Sequence, residues 1–184
     1  MYYPVDETAE AVGAAPQTVR NWISSGVVPI PQDQRFGKRR YTGLTKHDVI
    51  TVMIAAELSH LGVGPKSFCK IVPQIAYRVI EISIMLDATW QNFNDLDFVE
   101  KLLQEKEQPQ LTHPIKDNIN NKRYCIVYYD PDVEGNVLKC VFGSVDSIIY
   151  DAQDKTIILL DALKLANKAR TILEKLPMIN KSMD

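Results

Sequence analysis

The sequence predicts an α+β fold, with helices in its first part and β-strands combined with helices in its second part. Two observations support this prediction. Over roughly the first seventy residues, apolar residues recur at helical spacings of three and four, and glycine or proline separates the periodic segments. From Arg123 onward the pattern changes to short runs rich in β-branched and aromatic residues. We therefore predict two domains in the 184-residue chain, residues 1–71 and 72–184.

Two short helices joined by a tight turn are predicted near the N-terminus. The first follows Asp6, whose carboxylate can accept hydrogen bonds from the first-turn amides, and it stops at Gly13. The second starts at Pro16, which suits the first helical position, and ends before Gly26. Its apolar stripe is expected in the core and comprises Val19, Trp22 and Ile23. Four polar side chains face outward near its start: Gln17, Thr18, Arg20 and Asn21.

A short hairpin is predicted next. Residues 27–31 and 39–41 flank a polar stretch with Gly37, and the prolines at one side mark the hairpin as a sheet edge. Its basic cluster comprises Arg35, Lys38, Arg39 and Arg40. Taken alone, such a run is as compatible with a solvated loop as with a nucleic-acid contact.

A second helical pair is predicted after the hairpin. Residues 45–48 form a capping box with Asp48 in place of the usual glutamate. The helix that follows has an apolar face of Val49, Val52, Met53 and Ala56, continuing toward Leu61. Residues 62–65 break it, and residues 66–72 can supply one more short helix. The order helix, helix, wing, helix, helix is that of a winged helix-turn-helix.

Several motifs of this region follow one known pattern in order and spacing. They are Thr18-Val19-Arg20-Asn21-Trp22, Gly26 with Pro29, Gly37-Lys38-Arg39-Arg40-Tyr41, and Leu61-Gly62. The region resembles the DNA-binding domain of the MerR family of transcriptional regulators over about 70 residues. The resemblance implies that Arg20 lies on a recognition helix and that Arg39 and Arg40 contact DNA from a wing.

The sequence departs from the MerR pattern at three places. Asn21 stands where the family usually has an aromatic residue, and Ile23 stands where an acidic residue is usual, so we expect an unusual base preference. The family's long coiled-coil helix has no match. Base reading is expected from Gln17, Thr18, Arg20 or Asn21. Phosphate binding is expected from Arg35, Lys38, Arg39, Arg40 and the Tyr41 hydroxyl.

The second half is predicted to contain helices around a sheet. Residues 71–90 are apolar on every face and need cover from another domain or subunit, and a second helix follows Asn94 or Asp95 up to Pro109. We predict a four-stranded antiparallel meander of Tyr124–Tyr129, Val137–Phe142, Ser147–Tyr150 and Thr156–Leu160. Asp161 is expected to cap a last helix whose stripe comprises Ala162, Leu165, Ala166, Ala169, Ile172, Leu173 and Leu176.

No catalytic, cofactor or metal motif is recognised in the chain, which favours a binding protein over an enzyme. The three histidines, His47, His60 and His113, lack the spacing of a shared metal site. None of the three cysteines belongs to a Cys-x-x-Cys pair, so reduced thiols are expected. Cys125 and Cys140 can face each other across the predicted hairpin, where two small buried side chains are favoured over metal sensing.

Composition and charge set the cellular context. The chain is 46% hydrophobic and 24% charged, without a signal peptide or a long apolar run, so we expect a cytoplasmic protein with no membrane partner. Residues 1–70 carry 8 Lys and Arg against 6 Asp and Glu, whereas residues 71–184 carry 13 against 17. The positive excess therefore lies in the winged region.

The leading functional hypothesis is a transcriptional regulator that binds a palindromic double-stranded DNA operator as a homodimer. The apolar helix at residues 71–90 and the last helix are candidates for the dimer interface. RNA polymerase or another regulatory protein is a candidate partner. Two alternatives are an excisionase, packaging or architectural DNA-binding factor, and a protein-interaction module or enzyme whose DNA-binding head is degenerate.

Overall fold

The computed structural model describes residues 2–28, 43–86, 123–130, 137–144 and 157–178. Five helices come first: α1 (Val5–Val12), α2 (Pro16–Ser24), α3 (Lys46–His60), α4 (Pro65–Phe68) and α5 (Val72–Leu86). Three strands follow: β1 (Tyr124–Asp130), β2 (Val137–Gly143) and β3 (Ile157–Asp161). Helix α6 (Ala162–Lys175) continues directly from β3. The predicted hairpin loop, the helix after Asn94 and the strand Ser147–Tyr150 lie outside the described residues.

The α1–α2 pair forms largely as the sequence predicts, except at its start. Helix α1 begins at Val5, and Asp6 lies inside its first turn, so the prediction that Asp6 caps this helix is wrong. Gly13 ends α1 with a left-handed φ of 75°, a conformation that costs a residue without Cβ little. Pro16 occupies the first position of α2 as predicted.

The start of α3 confirms the predicted capping box. The Thr45 hydroxyl accepts a hydrogen bond from the Asp48 amide at 3.2 Å, and the Asp48 carboxylate accepts one from the Thr45 amide at 2.8 Å. The helix is buried on all sides rather than along one face. Its end differs from the prediction, since Leu61 is 52% exposed and does not extend the apolar face.

Helices α5 and α6 cover each other within one chain. Helix α5 contacts both α3 and α6, and Ile75, Val79, Ile80 and Ile82 of the predicted apolar helix are buried, whereas Ile84 is half-buried. Residues 87–90 of that prediction lie outside the described residues. Asp161 caps α6 as predicted, accepting hydrogen bonds from the amides of Leu163 at 3.0 Å and Lys164 at 3.2 Å. The buried residues of both helices are therefore packed inside the protomer, and the prediction that these helices form a dimer interface stays a prediction.

The sheet corrects the predicted four-stranded meander. Among the described residues it has three antiparallel strands in the order β2-β1-β3, so the last strand pairs with the first. A meander would leave β1 at an edge, yet Cys125, Ile126 and Val127 of β1 are all buried. β1 is the central strand of the three, paired with β2 and β3, while Val141 of β2 and Leu159 of β3 are exposed on the two outer strands.

One hydrophobic cluster connects the helices to the sheet. It extends from Tyr3 through α1, α2, α3 and α5 to β1 and α6. The predicted boundary between residues 71 and 72 falls just before α5, which packs on α3 and on α6, and the division into two domains stays a prediction. No helix in the described ranges has both the length and the apolar character to cross a membrane.

Candidate nucleic-acid interface

Helix α2 is held against the core by one side only. Val19, Trp22 and Ile23 are buried, which confirms the predicted stripe and places the Trp22 ring in the core. Helix α1 contacts both α2 and α3, so it lies between the candidate recognition helix and the central helix. Three residues, 13–15, join α1 to α2, and Pro16 follows them at the first position of α2, which restricts how the two helices can be oriented.

The opposite side of α2 is polar and open. Gln17 and Asn21 are exposed, and the Gln17 amide nitrogen donates a hydrogen bond to the Asn21 side-chain oxygen at 3.0 Å. Arg20 keeps 41% of its side chain exposed, one residue before Asn21. Residues three and four apart share a helix face, so these three predicted side chains present donors and acceptors together. Thr18 is half-buried and contributes less to this face.

Arg20 forms an ion pair that the sequence analysis missed. Its guanidinium donates to the carboxylate of Asp6 on α1, fourteen positions earlier in the chain. Asp6 is itself 58% exposed, so the pair lies at the surface and is worth little to stability. Its consequence is local: the carboxylate limits where the guanidinium can point and offsets its charge. No helical or strand spacing connects two residues on different helices, so only their packing reveals the pair.

Backbone hydrogen bonds hold the described residues on either side of the predicted hairpin. The buried Val28 donates its amide to the Trp22 carbonyl at 3.2 Å, just after α2. At the other end, Tyr3 and Leu44 exchange two backbone hydrogen bonds of 2.8 and 2.7 Å. Val28 therefore lies beside α2, and Leu44 lies beside Tyr3 just before α1.

Gly43 lies next to Leu44, in close contact with the N-terminal chain. A Cβ placed on Gly43 would lie 2.5 Å from Cβ of Tyr2, too close for any side chain. Tyr2 Cβ is attached directly to the backbone, so a rotamer change would not relieve the overlap. The close approach explains why glycine precedes Leu44.

The predicted wing residues Arg35, Lys38, Arg39, Arg40 and Tyr41 lie outside the described residues. The charge of the described α1–α2 region shows why they matter. Between residues 2 and 28 the sequence has one cation, Arg20, against Asp6, Glu7 and Glu10. A region with this negative excess does not attract phosphates by itself, so any attraction for phosphate in this part of the sequence depends on the basic cluster.

Comparisons with family models and with curated proteins identify no relative of this chain. No protein-family model matches the chain, and no curated protein matches it either. The MerR resemblance therefore rests on the residues quoted above. In the described ranges, no three His, Cys, Asp or Glu side chains are grouped as a metal site would require.

Proposed function

We propose that this chain is a sequence-specific double-stranded DNA-binding transcriptional regulator that acts in the cytoplasm as a homodimer. The observation that carries the proposal is the open polar face of α2. Gln17 and Asn21 are exposed there and Arg20 keeps 41% of its side chain exposed, while the opposite stripe is buried in the core. A helix with this division of faces can enter the major groove without disturbing the packing of the domain.

The side chains on this face have the chemistry that base reading needs. An arginine fork matches the two acceptors of guanine, and the amides of asparagine and glutamine match the donor and acceptor of adenine. The hydrogen bond between Gln17 and Asn21 orients both amide groups before DNA is present. Limiting the conformations of these side chains in the free protein lowers the entropy cost of binding.

Phosphate contacts are assigned to the wing in this proposal. The basic cluster Arg35, Lys38, Arg39 and Arg40, with the hydroxyl of Tyr41, supplies the positive charge and donors that the α1–α2 region lacks. This segment follows Val28, which is hydrogen-bonded to Trp22 of α2, and precedes Leu44, which pairs with Tyr3 just before α1. Base reading and phosphate binding would then act on the same stretch of duplex.

Homodimerisation is proposed because a single short recognition helix reads few base pairs. Two copies related by a two-fold axis would read a palindromic operator and combine their affinities. Since α5 and α6 pack on each other inside one chain, the dimer would use other surfaces. RNA polymerase or another regulatory protein would be contacted while the operator is bound.

Selection of bound fragments from the genome that encodes the chain tests the proposal directly. The full-length protein should enrich a short palindrome in promoter regions, with a dimer mass on the DNA. Enrichment of recombination or packaging sites would instead favour an excisionase-like or architectural factor. Absence of any enriched sequence would contradict sequence-specific binding.

A matched pair of arginine variants tests whether Arg20 of α2 contacts a base. Arg20→Ala should weaken binding to the selected site about ten- to a hundredfold, since a bidentate base contact is worth about 1–3 kcal/mol. Arg170→Ala removes the same charge from the exposed surface of α6 and should leave affinity unchanged. Equal effects of the two substitutions would show that Arg20 contributes charge only.

A further inference from the structure

Two cysteines are brought together by the β1–β2 ladder. In its register Cys125 lies opposite Phe142, and Cys140 lies opposite Val127. Residues two apart on a strand point to the same face, so Cys125 and Cys140 are diagonal neighbours on one face of the sheet. Their Sγ atoms are 2.9 Å apart.

This separation makes the pair a candidate for covalent chemistry. A disulfide bond is about 2.04 Å long, so the two sulfurs need to approach by less than about 1 Å to bond. Both residues lie in paired strands, which hold the two sulfur atoms in this contact. We propose that Cys125 and Cys140 are a thiol modification site, which a low-molecular-weight disulfide oxidises to an intramolecular disulfide linking β1 to β2.

The two thiols have different environments, which gives the reaction an order. Cys125 is fully buried, and the hydrogen bond with Cys140, together with burial, raises the pKa of its thiol far above the usual range. Cys140 is only half-buried, so it is the more accessible of the two residues. Cys140 is therefore the entry point, and Cys125 reacts second.

The reaction balances as two thiol–disulfide exchanges. The Cys140 thiolate attacks one sulfur of the oxidant RSSR, forms a mixed disulfide and releases one RS⁻. The sulfur of Cys125 then loses its proton and attacks Cys140 Sγ, which expels the second RS⁻. Each RS⁻ takes up one of the two thiol protons. The two cysteines lose two electrons, and the oxidant becomes two RSH.

Mass spectrometry of the intact full-length protein tests the site. The reduced protein is equilibrated with mixtures of reduced and oxidised glutathione, quenched with acid, unfolded and alkylated. Oxidation should leave one of the three cysteines open to alkylation and lower the mass by two hydrogens. Peptide mapping should join Cys125 to Cys140. Three alkylated thiols at every glutathione ratio, or a disulfide that includes Cys69, would overturn the proposal.

Three serine variants separate the two steps. Cys69→Ser should still form the disulfide. Cys125→Ser should accumulate a stable glutathione adduct on Cys140, whereas Cys140→Ser should leave Cys125 reduced over the same time. An adduct that appears first on Cys125 would contradict the proposed order.

Alkylation of the native wild-type protein makes the test independent of whether the variants fold. A short pulse of reagent should label Cys140 faster than Cys125, and the closing step should accelerate as pH rises because Cys125 must lose its proton. Equal labelling of both cysteines would contradict the difference in access on which the order depends.

Discussion

Helices α2 and α3 belong to the same predicted winged region but use their surfaces in opposite ways. In α2 three of nine residues are buried, whereas in α3 ten of fifteen are buried, including every residue from Asp48 to Ala56. Helix α3 has packing partners on all sides, so a substitution there changes stability. Helix α2 has one face that packing does not use, and a substitution there is free to change recognition.

The largest expected change in stability comes from a substitution in the packed core around α3. Ile54 is fully buried, and Ile54→Ala should lower the free energy of unfolding by about 2–5 kcal/mol, because a cavity is left where the side chain packed. Chemical denaturation followed by circular dichroism measures the change. The matched substitution Gln17→Ala on the exposed face of α2 should stay within about 0.5 kcal/mol of wild type. Similar losses for both variants would remove the distinction between the helices.

The next largest loss of stability is expected at Gly43, where the chain lies close to Tyr2. Gly43→Ala places a Cβ 2.5 Å from Cβ of Tyr2 and should destabilise the protein by about 1–3 kcal/mol as the chain is displaced. Gly64→Ala is the control, because a Cβ at Gly64 meets nothing within 4 Å. Thermal unfolding compares the two variants. A Gly43→Ala protein as stable as Gly64→Ala would disprove the close approach.

Salt dependence separates phosphate binding by the wing from base reading by α2. If a dimer makes about 6 to 10 phosphate contacts, affinity should fall a thousandfold or more between about 50 and 200 mM salt. Arg39→Ala should weaken binding to all sequences about tenfold near 0.1 M salt and lower the slope of log affinity against log salt by about 1. Fluorescence anisotropy over a salt series measures both. An unchanged slope would exclude a phosphate contact by Arg39.

A smaller change in DNA affinity is expected when the ion pair between Asp6 of α1 and Arg20 of α2 is removed. Asp6→Asn removes the carboxylate that pairs with Arg20, so affinity for DNA of any sequence should rise about two- to fivefold, the range expected for an exposed pair. Glu10→Gln removes one charge from the same helix and serves as the control. If both substitutions raise affinity equally, Asp6 acts through overall charge and not through Arg20.

The smallest expected effect is on the pH dependence of stability, and it arises at Asp161, where β3 meets α6, away from α2. Burial raises the pKa of Asp161, but the hydrogen bonds from Arg123 and from the amides of Lys164 and Leu163 outweigh burial and hold the pKa below its usual value. A pKa lowered by folding adds stability above the unfolded value of about 3.9, and this stability is lost as pH falls through the folded value.

Asp161→Asn keeps a helix-capping side chain but cannot ionise. Its free energy of unfolding should therefore depend less on pH below about pH 4, by about 1 kcal/mol or less. Urea denaturation at a series of acidic pH values measures this, with Glu174→Gln on the exposed end of α6 as the control. An Asp161→Asn protein with the same acid sensitivity as wild type would show that the Arg123 pair adds no stability.

Local chemistry in the sequence was enough to predict several features of the fold. The capping box of Thr45 and Asp48, the cap at Asp161 and the stop at Gly13 each depend on residues within a few positions of each other. The outward placement of Arg20 and Asn21 follows from the helical period of the buried stripe. The side chains of the candidate interface on α2 were predictable for that reason.

Features that depend on distant parts of the chain were not predictable. Nothing in the alternation of β3 indicates that it pairs with β1, because a strand pattern specifies a face but not a neighbour. The spacing of Asp6 and Arg20 favours no contact, and a capping role for Asp6 was equally consistent with the sequence.

The sequence by itself therefore determined helices α1 to α3, the caps at Thr45 and Asp161 and the outward side chains of α2, since these follow from local hydrogen bonding and periodicity. Only the tertiary structure decided that α3, α5 and α6 cover one another, that Arg20 pairs with Asp6, and that Cys125 meets Cys140. Each of these contacts joins segments whose approach depends on how the whole chain buries its apolar surface.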